Sequence, residues 1–256
     1  MLDNKPKLLI LGGGFGGIET LRSLNRFRDE FDVTLISEFP FFTFTPFLHE
    51  IIFTNRSTED PKINLERVAR KFGAKFLPGK VKSIDLDQRR LDLESGDSLE
   101  YDYLVYALGG STNFRDIDGA AQHSFGFKTR PDAIKLRAHL DTLLLQGNDT
   151  QTIIVGGGPT GIKLAAELSD HFKPHHCTHK VMLLEAGKDI GTTLDPRVLK
   201  FTKQQLHKRR VQVVTEAKVN NVSSRKLHLV NQEIEADTII WAAGIKPINK
   251  FKQTLK

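Results

Sequence analysis

Two glycine-rich turns set 144 residues apart constrain this 256-residue chain more than any other feature. Lys7-Leu-Leu-Ile-Leu-Gly-Gly-Gly-Phe-Gly-Gly17 opens the first half and Thr152-Ile-Ile-Val-Gly-Gly-Gly-Pro-Thr-Gly161 opens the second. In each, an apolar run breaks into glycines and continues at helical spacing, through Ile18, Leu21 and Leu24 in one copy and Ile162, Leu164, Ala165 and Leu168 in the other. A second apolar run then ends in an acid: Val33-Thr-Leu-Ile-Ser-Glu38 and Val181-Met-Leu-Leu-Glu185. Both halves therefore start strand, helix, strand, an order that asks for a parallel sheet. Each later shows short alternating runs that suit a hairpin or meander, around Val81 to Leu93 and Val213 to Val230. Each closes on an apolar strand that meets glycine, Tyr101 to Gly110 and Ala236 to Gly244.

The expected fold class is α/β, with two Rossmann-like dinucleotide-binding domains of parallel sheets and small antiparallel meanders. Residues 1–118 form the first and 119–256, with a short basic tail, the second. The stretch from Ile117 to about Thr150, with Gly119, Gly126 and Pro131 ahead of a helical Ala133 to Leu145, carries the connection.

The spacing of the glycines has a chemical reading. In Gly12-x-Gly14-x-x-Gly17 the first glycine permits the tight strand-to-helix turn, the second lets the backbone approach a pyrophosphate, and the third allows close packing of helix on strand. Phosphate oxygens then meet the free N–H groups and partial positive charge of a helix N-terminus. Glu38 lies 21 residues past Gly17, where a carboxylate accepts hydrogen bonds from ribose hydroxyls. Gly156-x-Gly158-x-x-Gly161 with Glu185, 24 residues on, repeats all three conditions. A carboxylate at Glu185 welcomes the 2′-hydroxyl of NAD and repels the 2′-phosphate of NADP, with Lys188 close enough to soften the preference. Two such sites imply two redox dinucleotides, a flavin held by the first half and NADH by the second, with a hydride passing between their rings.

Composition removes competing classes. A single cysteine, Cys177, cannot make a redox dithiol or a four-thiolate metal site, so electron transfer has to run on a cofactor. The net charge of +6, from 37 Lys and Arg against 31 Asp and Glu, favours anionic partners without naming one. No stretch approaches the roughly 20 apolar residues of a spanning helix, and the N-terminus lacks the order of a signal peptide. The expectation is a cytoplasmic protein, whose membrane contact, if any, is peripheral and on the cytoplasmic face.

These residues resemble the pyridine-nucleotide-dependent flavoprotein superfamily, and most closely its type II, non-proton-pumping NADH dehydrogenases. The resemblance rests on the two glycine turns, on Phe42-Thr-Phe-Thr-Pro-Phe-Leu-His-Glu50, on Glu100-Tyr-Asp-Tyr-Leu-Val-Tyr-Ala-Leu-Gly109 and on Ile240-Trp-Ala-Ala-Gly244. It implies an FAD-dependent oxidoreductase that passes electrons from NADH to a quinone-type acceptor. By that analogy Gly12, Gly14, Phe15, Gly16, Gly17, Glu38, Val81, Ala107 and Gly109 hold FAD, with Pro46 beside the flavin ring. Gly156, Gly158, Pro159, Thr160, Gly161, Glu185, Ala243 and Gly244 hold NADH. The chain departs from the family pattern at Lys163, where a glutamate near the two rings is usual; an ammonium there reverses the local charge, unless it simply faces solvent. Relatives also continue well past the point where this chain stops, which leaves the FAD-binding domain without its return segment. The alternative reading is therefore a truncated or degenerate, non-catalytic dinucleotide-binding paralogue. A homodimer is compatible with either.

Three further features have plainer readings. His171, His175, His176 and His179 crowd around Cys177, but their spacing fits no tetrahedral metal site and a solvated loop is expected, with no metal. Phe39, Phe41, Phe42, Phe44 and Phe47 fit an extended segment packed under a flavin through Phe42, Phe44 and Pro46, or a hydrophobic patch. The basic runs Lys200 to Arg210 and Lys246 to Lys256 suit a helix face and a tail that acidic lipid headgroups could attract; no nucleic-acid partner is expected, because no reading module accompanies the charge.

Overall fold

The computed structural model describes residues 5–53, 63–174 and 178–251. They fall into two compact units, one of 5–44, 63–110 and 247–251, the other of 45–53 and 111–246 apart from 175–177. This differs from a cut at 118. Residues 45–53 join the second unit because the Leu48–Phe53 helix buries Leu48 and Ile52 in the core that holds Leu136, Leu140, Leu164 and Leu168. Residues 247–251 join the first because the Ile84 N–H donates to Lys250 O at 2.8 Å and Phe251 stacks on Tyr106 at 4.7 Å.

In the first unit four parallel strands stand in the order Lys75–Pro78, Asp32–Ser37, Lys7–Leu11, Tyr103–Tyr106. Side chains alternate across a strand, so Leu8 and Ile10 face the Phe15–Leu24 and Leu65–Lys71 helices with Leu21, Leu65 and Ala69, while Leu9 and Leu11 face the other way. There they meet Val81, Ile84, Leu91 and Leu93 of a three-stranded antiparallel meander, Val81–Asp85, Arg90–Leu93 and Ser98–Glu100. Burial on both faces explains why these strands are continuous apolar runs rather than alternating ones.

The second unit repeats the plan with five parallel strands: Phe125–Gly126, Thr238–Trp241, Thr150–Val155, His179–Leu184, Gln212–Val214. Ile154, Leu183 and Ile240 pack on the helix side; Ile153, Val155, Met182, Leu184 and Trp241 pack toward a second meander of Val219–Ser223, Lys226–Leu229 and Glu233–Glu235. Each fully buried Leu or Ile contributes about 1.5–3 kcal/mol of transfer free energy. Val213 thus belongs to the parallel sheet, and the meander expected to begin there starts at Val219. No helix among the described residues is long and apolar enough to cross a membrane.

Candidate functional site

Each unit presents its glycine turn at the C-terminal end of a central strand, and the two turns make matching hydrogen bonds. Gly12 and Gly156 both take left-handed backbone, φ 105° and 112°. Their N–H groups donate to the neighbouring strand, to Ile36 O and Leu184 O, both at 2.8 Å. The helices begin alike, with Ile18 N–H on Gly14 O and Ile162 N–H on Gly158 O at 3.0 Å. The closing strands arrive alike too, with Ala107 N–H on Leu11 O and Ala242 N–H on Val155 O at 2.8 Å.

The protein itself explains two glycines of each triplet. A Cβ on Gly12 would strike Ala107 O, and one on Gly156 would lie 2.7 Å from Ala243 N. A Cβ on Gly17 or Gly161 would collide with the carbonyl oxygen of Gly12 or Gly156, where helix meets strand. The middle glycines are different. At Gly14 and Gly158 a Cβ meets nothing within 4 Å, and φ is −84° and −74°, values open to any residue. Neither fold nor backbone requires glycine there. The space kept clear lies at a helix N-terminus, where a close ligand would need it.

The same two helix starts are uncapped. Gly14 and Gly158 supply no side-chain hydrogen bond and neither first turn contains an acid. Pro159 takes the first helical position of the second, where its missing N–H leaves no intrahelical bond unmade, and Thr160 follows. The other described helices of seven residues or more are capped by side chains: Asn64 on Arg67 N–H, Thr129 with Asp132 in a capping box, and Asp195 on Arg197 N–H. The chain caps its helices in general and leaves open the two that follow glycine turns.

The acids after the second strands are held differently. Glu185 accepts from the backbone N–H of Gly157 and of Gly187, both at 2.7 Å, one on each carboxylate oxygen. Glu38 stands just past the end of its strand, about half-exposed, with Lys80 Nζ 4.0 Å away; that ammonium is closer to Glu94, at 3.2 Å. Val81, next to Lys80, is buried in the core of the first unit and pairs with Leu93 in the meander. Lys188 is exposed. Gly109 and Gly244 both adopt left-handed backbone at the ends of the closing strands, φ 75° and 118°. A Cβ on Gly16 would make ordinary contact with the Ala107 methyl at 3.4 Å.

Around the first turn, Phe15 packs edge-on against Phe42 and Phe44 at 5.0 and 5.4 Å, with Phe15 and Phe44 about half-exposed. The segment is not extended through Pro46, as the alternation suggested. The chain leaves a two-residue strand, Phe41–Phe42, and turns at Thr45–Phe47, so that Pro46 is exposed and groups with the second unit. There the pKa of His49 is held low, by burial first and then by the positive charge of Lys163, against the pull of Glu167 and Glu50. Lys163 is exposed on its helix, yet its charge reaches His49, a neighbour that sequence reading missed because 114 residues separate them.

Of the histidine cluster, His175, His176 and Cys177 lie outside the described residues. His179 stacks on Phe172 at 3.6 Å and His171 contacts Phe53 and Phe172 edge-on or tilted. Among the described residues no group of three or more His, Cys, Asp or Glu is arranged to hold a metal ion.

The family model for pyridine nucleotide-disulphide oxidoreductases matches residues 6–256. The chain belongs to that family. It is 31% identical over 263 residues to a demethylphylloquinone reductase of Synechocystis sp., covering 95% of this chain and 63% of that one. It is 25% identical to a type II NADH:quinone oxidoreductase of Staphylococcus haemolyticus, covering 96% and 66%. Among solved structures, NDH2 from Plasmodium falciparum in complex with NADH superposes with a TM-score of 0.82 at 26% identity, covering 94% of this chain and 55% of that one. A sulfide:quinone oxidoreductase from Aquifex aeolicus shares the fold, with a TM-score of 0.80 at 23% identity. The chain thus spans about half to two-thirds of the length of these relatives.

Proposed function

We propose that this chain is an FAD-dependent NADH oxidoreductase that takes a hydride from NADH and passes electrons to a quinone-type acceptor. The observation that carries the reading is the open space at Gly14 and Gly158: each unit has a glycine where its own packing asks for none, and a ligand close to the backbone would account for it. The relatives point the same way, since those named are NADH or quinone oxidoreductases. FAD, held at the first turn, would supply a ring that accepts a hydride and releases electrons singly or in pairs.

The chain's own residues bind and orient. The N–H groups after Gly14 would bear on the FAD diphosphate and Glu38 on its adenosine ribose, with Phe15 over the helix start and the Ala107 to Gly109 turn completing the cradle. In the second unit the N–H groups after Gly158, with Pro159 and Thr160, would receive the NADH diphosphate. Glu185 is fixed by two backbone donors and keeps lone pairs for the ribose 2′-hydroxyl. Its negative charge disfavours a 2′-phosphate. Pro46 and Lys163 are the proposed neighbours of the reacting rings, Lys163 acting through its positive charge, which favours an anionic reduced flavin. Any membrane contact is peripheral.

Purified protein should be yellow, or become so on incubation with FAD, and NADH should bleach it under anaerobic conditions. Colourless protein that FAD cannot reconstitute would leave only a non-catalytic nucleotide-binding role.

A further inference from the structure

The turn that leads into the second unit is built around an arginine. Arg115 and Asp116 both have left-handed backbone, φ 55° and 54°, and form the centre of a tight turn closed by Ile117 N–H on Phe114 O at 3.1 Å. Turns of this kind favour Asn, Asp and Gly. They are the one consecutive pair of non-glycine residues in this conformation among the described residues. Elsewhere Arg89 and Arg225 fill hairpin turns and Arg210 follows a helix end. Strained backbone persists where its surroundings over-determine it, and here four hydrogen bonds do so. Asn113 Oδ1 accepts from Arg115 N–H at 2.9 Å, and Trp241 Nε1 donates to Asn113 O at 2.8 Å. Asn113 N–H donates to Gly244 O at 3.1 Å, and Arg115 Nε donates to Ala243 O at 2.8 Å.

The guanidinium is thereby fastened to the closing turn of the second unit, the turn whose Ala243 abuts Gly156. A Cβ on Gly244 would lie 3.3 Å from Arg115 Nη2, so glycine at 244 leaves the fork its place. One edge of the fork is spent on Ala243 O; the residue is exposed, and no carboxylate among the described residues pairs with it. An unneutralised, aimed guanidinium beside a nucleotide turn suits an anionic oxygen. We propose that Arg115 contacts the diphosphate of the dinucleotide bound at the Gly156 turn, as a further binding residue of the second unit. This rests on the NADH reading of the second unit.

The test measures binding of NADH, ADP-ribose and adenosine by calorimetry or competition, together with Tm, for wild type, Arg115→Gly and Arg115→Gln. Both variants should bind NADH and ADP-ribose about tenfold more weakly, as for a lost charge-assisted hydrogen bond, with adenosine unchanged. Arg115→Gly should melt within about 2 °C of wild type or above it, because glycine suits the left-handed turn. Wild-type affinity in Arg115→Gln would overturn the proposal, leaving Arg115 as a neutral brace for Ala243. So would a lower Tm with equal loss of all three ligands in Arg115→Gly, which marks a scaffold residue. If wild type itself binds neither NADH nor ADP-ribose, the NADH reading fails first, and the proposal with it.

Discussion

The two units share a plan and differ in how they hold what the plan delivers. Both build a glycine turn to the same hydrogen bonds, yet the second pins its acid with two backbone donors while the first leaves Glu38 beside a lysine that favours Glu94. Every described histidine lies in the second unit, and the first has none. The two units agree in what geometry forces, the tight turn and the helix contact, and differ in what side chains can supply in several ways.

The largest effect should come from the third glycines. Gly17→Ala and Gly161→Ala each drive a Cβ into a backbone carbonyl that cannot yield, and should destabilise by roughly 3–5 kcal/mol, visible as a loss of cooperative melting. Next come the middle glycines, where the fold is indifferent and the ligand is not. Gly14→Val should abolish flavin retention and Gly158→Val should spare flavin while weakening NADH binding by on the order of a hundredfold, both with the Tm of the nucleotide-free protein nearly unchanged. Equal loss of both ligands in both variants would break the assignment of one nucleotide to each unit.

Acid should separate the units further. Burial pushes the His179 pKa down to about 4, and that of His139 is lowered by burial as well. Between about pH 6.5 and pH 4 the unfolded chain binds a proton that folded His179 refuses. Stability is therefore full above that window, falls as pH drops through it by up to about 3 kcal/mol, and levels off below. Tm measured against pH should show the slope, and His179→Phe should flatten it. The smallest difference is between the acids. Glu185→Gln sets an amide N–H₂ against a backbone donor and should lower stability by about 1–2 kcal/mol as well as NADH affinity. Glu38→Gln should change stability by less than about 0.5 kcal/mol and affect FAD alone. Denaturant titration of the two variants checks this.

Much of the plan was legible because it rests on local pattern: continuous apolar strands, glycines at fixed spacing, helices of period 3.6. The strands, the two long motif helices and both meanders fall close to where the pattern put them. What escaped was long-range. Phe42 to Pro46 alternate, but Leu48 and Ile52 find their core beside residues nearly a hundred positions away, and that packing bends the chain into a turn at Thr45. Glu185 was visible as an acid after a strand, while its backbone partners were not, since any residue offers an N–H. Arg115 gave no signal, because its spacing suits a loop and only three-dimensional hydrogen bonding shows it fixed.

The trade of segments has a consequence for anyone who would divide the chain. A cut at the repeat boundary would strand Leu48 and Ile52 on the wrong polypeptide and remove from the first piece the Lys250 carbonyl and Phe251 ring that finish its meander. The halves look like beads on a string in one dimension. In three they are laced, and recombination that respects the repeat would yield two pieces each missing a part the other carries.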